Sequence, residues 1–186
     1  MRRITSSSTF CTGGFCLLVL GAGPIGLLAL QIAALAGAEV SVADPVSERR
    51  RWALDLGAAS SFDPGSDEMK DERFDVVIET AGAPEAVSGA VEHARPGGWI
   101  VLTGIPMDAC AIETKWVVWR ELKLVGSFIY EPTDFGRACD RIARGELRAL
   151  DLVTDRFPIE RATEAFRAAV GRRGLKVLIK VREEEC

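Results

Sequence analysis

Leu17-Leu18-Val19-Leu20-Gly21-Ala22-Gly23-Pro24-Ile25-Gly26 is the stretch that decides the fold. Its first four residues form an unbroken apolar run, as expected of a central parallel strand covered on both faces. The next six put three glycines where such a strand turns into a helix, and each has its own physical task. Gly21 allows the tight turn, Gly23 allows backbone to approach a diphosphate, and Gly26 allows the helix to pack closely on the strand. The helix start beyond them offers unpaired N–H groups and a positive dipole end, which favour a bound anion. Pro24 suits the first helical turn, because the N–H it lacks has no partner inside a helix.

Three glycines alone also describe an ordinary turn. The discriminating residue is Asp44, 18 residues past Gly26, at the end of the next strand. There a carboxylate can accept hydrogen bonds from the ribose hydroxyls of an adenosine. The same charge would repel a 2′-phosphate at about 5 Å by roughly 3 kcal/mol at an effective dielectric of about 20, which favours NAD over NADP. Arg49, Arg50 and Arg51 follow one helical turn later. They read either as an offset to such a phosphate or as a solvated helix face.

Outward from this stretch, strand and helix signals alternate. Val40 to Ala43 reads as a strand and Ser47 to Leu56 as a helix stopped by Gly57. Ser60 to Phe62 is a brief strand, Asp63 to Arg73 a polar loop, and Phe74 to Glu79 a clear strand. Pro84 to Arg95 reads as a helix, and Trp99 to Leu102 and Leu122 to Ser127 as the fifth and sixth strands. Two amphipathic segments, Asp134 to Arg144 and Ile159 to Gly171, precede a strand-like run at Leu175 to Lys180. The repeated βα order implies an α/β fold, a doubly wound, mainly parallel six-stranded sheet of the Rossmann type. One domain over residues 15–182 is expected, with a disordered Ser/Thr-rich leader over 1–14 and an acidic tail over 183–186.

Composition narrows the partners. The 186 residues are 48% hydrophobic and 27% charged with 18 Gly, as in globular proteins, and the net charge of −4 offers no basic field for nucleic acid. No apolar run reaches the roughly 20 residues of a membrane span, and a cytoplasmic location is expected. Cys11, Cys16, Cys110, Cys139 and Cys186 form no CxxC pair, which reads as free thiols rather than a zinc knuckle or a redox dithiol. The single histidine, His93, falls on a helix and reads as a surface or packing residue. Asp108 to Trp119 alternates apolar and polar residues, as an exposed edge strand would.

With these residues in place, the sequence resembles the coenzyme domain of the medium-chain, zinc-type alcohol dehydrogenases, nearest to threonine and sorbitol dehydrogenases. The resemblance rests on Val19 to Gly26, Asp44 to Arg49, Glu79-Thr80-Ala81-Gly82, Arg95-Pro96-Gly97-Gly98, Thr103-Gly104-Ile105-Pro106, Glu121 to Phe128, and Ala165-Phe166 through Lys176-Val177-Leu178. Together these span about residues 17–181. The resemblance implies an oxidoreductase that uses NAD. Gly21, Gly23, Pro24, Ile25 and Gly26 would meet the pyrophosphate, and Asp44 and Arg49 the adenosine ribose. Thr80 and Ala81 would lie beside the cofactor, and Thr103, Gly104, Ile105, Ser127 and Phe128 near the nicotinamide ribose and carboxamide. Thr80 also reads as a strand-end cap, Ile105 as core and Phe128 as filler. In the resembled family the edge strand pairs with its copy, so a homodimer through residues 108–118 is expected.

The departures bear on chemistry. In that family an N-terminal domain carries the catalytic zinc ligands and the proton relay, and no His/Cys/Glu cluster with zinc spacing occurs in this sequence. No catalytic residue is therefore expected here; zinc would belong to a separate catalytic domain. Ile129 stands where polyol dehydrogenases carry an arginine, which gives a sorbitol-like substrate no support. Two other classes stay open: a stand-alone NAD-binding or interaction module, and an S-adenosylmethionine-dependent methyltransferase, which shares the glycine turn and the strand-end acid.

Overall fold

A strand that must be apolar on both faces needs helices above and below it, and the alternation of elements supplies them. In the computed structural model, which describes residues 14–171 and 174–182, Cys16–Leu20 (β1) is buried at every position. Strand β1 pairs in parallel with Glu39–Ala43 (β2) on one side and with Phe74–Glu79 (β4) on the other. Ser60–Phe62 (β3) extends the sheet beyond β2, and Ala94–Leu102 (β5) and Lys123–Gly126 (β6) extend it beyond β4. The strand order is β3-β2-β1-β4-β5-β6, all parallel, which is the doubly wound arrangement expected.

The crossovers are Pro24–Leu35 (α1), Ser47–Asp55 (α2) and Pro84–His93 (α3). In α1 the buried residues Gly26, Leu27, Leu30 and Gln31 recur at helical spacing on one face. Helices α1 and α2 are each followed by a glycine in the left-handed region, Gly37 (φ 87°) and Gly57 (φ 101°), the usual residue for that conformation. The core gathers Leu18, Leu20, Phe62, Met69, Phe74, Val77, Val91, Ile100 and Leu122. Met69 comes from the segment read as loop, where a single 3₁₀ turn at Asp67–Met69 anchors it.

At the edge of the sheet where β1 and β4 begin, Asp75 is buried. Its carboxylate accepts the Cys16 N–H at 2.8 Å and pairs with Arg95. Strand β5 therefore starts earlier than the apolar run suggests, and it accommodates Arg95-Pro96-Gly97-Gly98 as a register irregularity against β4 between Phe74 and Val76.

Two sequence expectations change. Residues 108–118 are no edge strand: 109–113 carry no regular structure and Thr114–Trp119 is a helix (α4). Local contacts explain it, since the Glu113 carboxylate accepts the Trp116 indole N–H at 2.7 Å and pairs with Lys115 at 2.8 Å. The edge of the sheet is instead β6, so the proposed route to a homodimer through a strand at 108–118 falls. Cys16 is disulfide-bonded, while Cys110 and Cys139 are free; sequence spacing does not bound how closely two cysteines approach in space. The expected leader, apart from Gly14, and the acidic tail lie outside the described residues.

The chain divides into two compact units, 1–134 and 135–186. The second holds most of Pro132–Ala143 (α5) and a parallel pair, Val153–Pro158 (β7) with Lys176–Lys180 (β8). Ala162–Val170 (α6) connects the pair as a crossover, with Ala165 buried against it. Strand β7 escapes a periodicity reading because Thr154, Asp155 and Arg156 interrupt its apolar positions.

His93 closes α3 with its Nδ1 3.3 Å from the Glu72 carbonyl. Burial holds its pKa below the ordinary 6.5, outweighing the hydrogen bond to Glu72 and the attraction of Glu92. Below about pH 6.5 the unfolded chain binds a proton that the folded chain resists, so this histidine's stabilising share is present above pH 6.5 and lost as pH falls. Urea unfolding at pH 7.5 and 5.5 should show a smaller acid loss in His93→Asn than in the unmodified chain. Equal losses would contradict it.

Candidate functional site

Because all six strands run in parallel, their carboxyl ends share one edge of the sheet. The chain moves from β1 outward to β3 and then returns to β4 on the other side of β1. At such a reversal the flanking connections part and leave a crevice, the usual ligand position in open α/β sheets. Gly21 follows β1, Asp44 follows β2, Thr80 and Ala81 follow β4, Thr103 to Ile105 follow β5, and Ser127 and Phe128 follow β6. All the candidate residues read from sequence are thus carried by the strand ends of one edge or by the starts of helices α1 and α2 behind them.

The glycine turn is built on contact distances. Gly21 has φ 102° and donates its N–H to the Ala43 carbonyl at 2.8 Å, tying the turn to the end of β2. A Cβ on Gly26 would lie 1.9 Å from the Gly21 carbonyl oxygen and 2.9 Å from the Thr80 hydroxyl, so helix α1 can start this close to β1 only with glycine there. Gly23 differs. A Cβ there would meet nothing within 4 Å, so no protein packing demands its glycine. Gly23 is also the N-cap of α1, no side chain caps the helix, and no acid occupies its first turn. An uncapped helix start facing open space is suited to an anion.

Asp44 is buried, and its carboxylate accepts the Ala22 N–H and the Val46 N–H, both at 2.8 Å. It therefore braces the glycine turn from the neighbouring strand. A carboxylate has about four lone-pair positions, so two protein donors leave capacity for hydroxyl donors of a ligand. Arg49 approaches the same carboxylate at 3.8 Å. Arg50, which sequence reading left as an undifferentiated charge, is committed to the scaffold: one nitrogen reaches the Asp44 and Pro45 carbonyls at 2.7 and 3.1 Å and Asp63 at 3.1 Å.

On the far side of the crevice, both threonines point inward. The Thr80 hydroxyl lies 3.0 Å from the Leu20 and Gly21 carbonyls, and the Thr103 hydroxyl donates to the Glu79 carbonyl at 2.7 Å. Their side chains are ties within the edge, in keeping with the strand-cap reading of Thr80. Ile25, Ile105 and Phe128 are exposed on the same edge, so Ile105 is not core. Ser127 donates its N–H to Leu102 at 2.9 Å. Ile129 holds a left-handed conformation at φ 62°, which is costly for a β-branched residue and recurs near functional sites.

Glu79 is the residue sequence reading missed. It ends β4 with no exposure, and its Oε1 accepts the Ala81 and Gly82 N–H groups, both at 2.7 Å. The available signal was an acid closing the apolar run Val76-Val77-Ile78. Among the described residues no group of three or more His, Cys, Asp or Glu could hold a metal ion, so a zinc site does not fit them. No helix among them is long and apolar enough to cross a membrane. A groove of about 630 Å³ lined by Val91, Ile112, Trp116 and Arg120 includes none of the strand-end residues.

This geometry recurs in known proteins. The profile of the family described as zinc-binding dehydrogenase matches residues 24–144. A probable D-xylulose reductase A of Aspergillus clavatus is 31% identical over 179 residues, covering 89% of this chain and 50% of that protein. Sorbitol dehydrogenase of Mus musculus is 32% identical, covering 88% of this chain and 48% of that enzyme. A zinc-binding dehydrogenase of Sinorhizobium meliloti, solved bound to NADP, superposes with a TM-score of 0.81 at 30% identity, covering 94% of this chain and 54% of that one. The chain spans about half the length of the curated relatives it matches. With a six-stranded parallel sheet, a glycine turn at its switch point and a family profile over most of its length, the chain belongs to the zinc-binding dehydrogenase family.

Proposed function

We propose that the crevice holds NAD(H), with the diphosphate against the start of α1, the adenosine ribose toward Asp44 and the nicotinamide half toward the ends of β4, β5 and β6. In the oxidoreductase so formed, this chain would hold the coenzyme for reversible hydride transfer between an alcohol and NAD. The bound nicotinamide would supply the hydride acceptor or donor. The chain's own part is to bind and orient. Backbone N–H groups at the α1 start neutralise the diphosphate, Asp44 accepts the ribose hydroxyls, and the exposed Ile25, Ile105 and Phe128 give apolar surface for the rings.

The observation that carries this reading is the open space at Gly23 beside an uncapped helix start. A turn kept for folding alone needs Gly21 and Gly26 but not Gly23. Substitution separates the two. Gly26→Ala should destabilise the fold by several kcal/mol in urea unfolding, since the clash is with backbone. Gly23→Ala should leave stability within about 1 kcal/mol, yet weaken NADH by at least about tenfold in a fluorescence titration. Unchanged NADH affinity in Gly23→Ala would remove the diphosphate from this turn, and selective binding of S-adenosylmethionine would favour a methyltransferase.

The preference for NAD rests on Asp44. The Sinorhizobium meliloti relative is bound to NADP, so the fold admits either coenzyme and local charge decides. Arg50, the residue able to offset a 2′-phosphate from the helix, is already shared among three acceptors, and Arg49 sits against Asp44 itself. Arg49 offsets part of the Asp44 charge, so the roughly 3 kcal/mol of repulsion is an upper value, and NADPH should bind up to about a hundredfold more weakly than NADH. Asp44→Asn should narrow that gap by about tenfold or more, read by titration with both coenzymes. A gap that stays as wide in Asp44→Asn would refute the role given to this charge.

A further inference from the structure

Glu79 has a carboxyl oxygen with nowhere to go. Oε2 is buried and has no hydrogen-bond partner among the described residues. Buried polar atoms are almost always satisfied, and each exception needs a reason. An apolar residue at this position would remove the unsatisfied oxygen, but it would also leave the Ala81 and Gly82 N–H groups unpaired in the interior. The acid is retained for what its other atoms do.

Those atoms join two turns. Oε1 takes the Ala81 and Gly82 N–H groups of the turn after β4, at 2.7 Å each. The Glu79 main-chain carbonyl takes three donors of the turn after β5: the Thr103 N–H at 2.9 Å, the Thr103 hydroxyl at 2.7 Å and the Gly104 N–H at 3.1 Å. The two turns also touch backbone to backbone. A Cβ on Gly104 would lie 2.3 Å from the Gly82 nitrogen and 2.5 Å from Glu79 Oε2, and one on Gly82 would lie 3.0 Å from Ile105 backbone atoms. The unpaired oxygen thus faces the seam where both turns meet.

The half of the crevice over β1 and β2 has its own brace, Asp44, whose carboxylate reaches Ala22 and Val46. Among the described residues the Glu79 side chain and carbonyl accept five donors, all from the β4 and β5 ends and none from those two strands. We infer that Glu79 is a positioning residue for one half of the coenzyme site: it sets the Thr80–Gly82 and Thr103–Ile105 turns against which the nicotinamide mononucleotide half lies, and leaves the adenosine half to Asp44. This rests on the coenzyme reading above.

Two variants separate reach from charge. Glu79→Gln keeps an oxygen at the Oε1 position, whereas Glu79→Asp keeps the charge but withdraws it by one methylene. Each is titrated with NADH and with ADP, which carries the adenosine and diphosphate but neither the nicotinamide nor its ribose. Glu79→Asp should lose about tenfold or more in NADH affinity while ADP changes by less than about twofold, since the amides that lose their acceptor, Ala81 and Gly82, belong to the β4 turn. Glu79→Gln should recover NADH affinity to within about threefold. Parallel losses for both ligands, or no loss for either, would overturn the inference.

Should neither variant fold, NMR of the unmodified chain carries the test. NADH should shift the Ala81, Gly82 and Gly104 amides and ADP should leave them in place; equal shifts overturn the assignment. An unmodified chain that binds neither ligand at millimolar concentration overturns the coenzyme reading, and this inference with it. Normal binding with flat variants overturns this inference alone.

Discussion

Helix α1 starts with its backbone against the backbone of β1, and the absence of a side chain at Gly26 makes that possible. A Cβ there would sit 1.9 Å from the Gly21 carbonyl, a distance no rotamer change relieves, because the obstacle is main chain. Everything at the carboxyl edge follows from that approach. It aims the helix start across the end of the sheet, sets Gly23 where no protein atom fills the space, and brings Thr80 from the neighbouring β4 close enough to tie the turn at the Leu20 and Gly21 carbonyls. The conformational cost of glycine in the unfolded chain, of order 1 kcal/mol per residue, is small beside the clash it avoids.

The edge so formed has a shortage of acceptors. Turns after parallel strands leave N–H groups without ladder partners, and in the interior an unpaired amide is expensive. Two strand-end acids meet the need. Asp44 takes one amide from the glycine turn, 22 residues away, and one from its own turn at Val46. Glu79 takes two amides of its own turn, while its carbonyl takes donors from the turn after β5. At the opposite edge Asp75 does the same for the Cys16 amide. Buried carboxylates in this domain are structural acceptors first, and whatever a ligand gains from them is added to that work.

Much of this was legible in the residues. The apolar run at 17–20 marked a strand covered on both faces, Phe74 to Glu79 and Trp99 to Leu102 marked further strands, and Gly37 and Gly57 marked helix ends, because these signals are local. The alternation alone implied the parallel order. What sequence could not convey was contact between distant segments. Residues 108–118 alternate like a strand, yet Glu113 reaches Trp116 and Lys115 and a helix forms. Nothing local distinguishes Arg50, held by three acceptors, from its exposed neighbour Arg51. The strand ends that carry the candidate residues lie on one edge, but the inward direction of the Thr80 and Thr103 hydroxyls depends on carbonyls 60 and 24 residues away.

The same reasoning explains why Glu79 hides from a motif search while Asp44 does not. Asp44 stands at a spacing from the glycines that carries its own meaning, since a ligand hydroxyl and a loop amide both seek it. Glu79 belongs to a strand whose other residues are read for burial, and an acid there looks like a boundary marker. In the fold Oε1 takes two amides while Oε2 has no hydrogen-bond partner among the described residues at the seam of two turns. An oxygen left unsatisfied in a fully buried position costs stability. Its retention is best explained by a geometry in which losing both amide bonds would cost more than keeping one orphan.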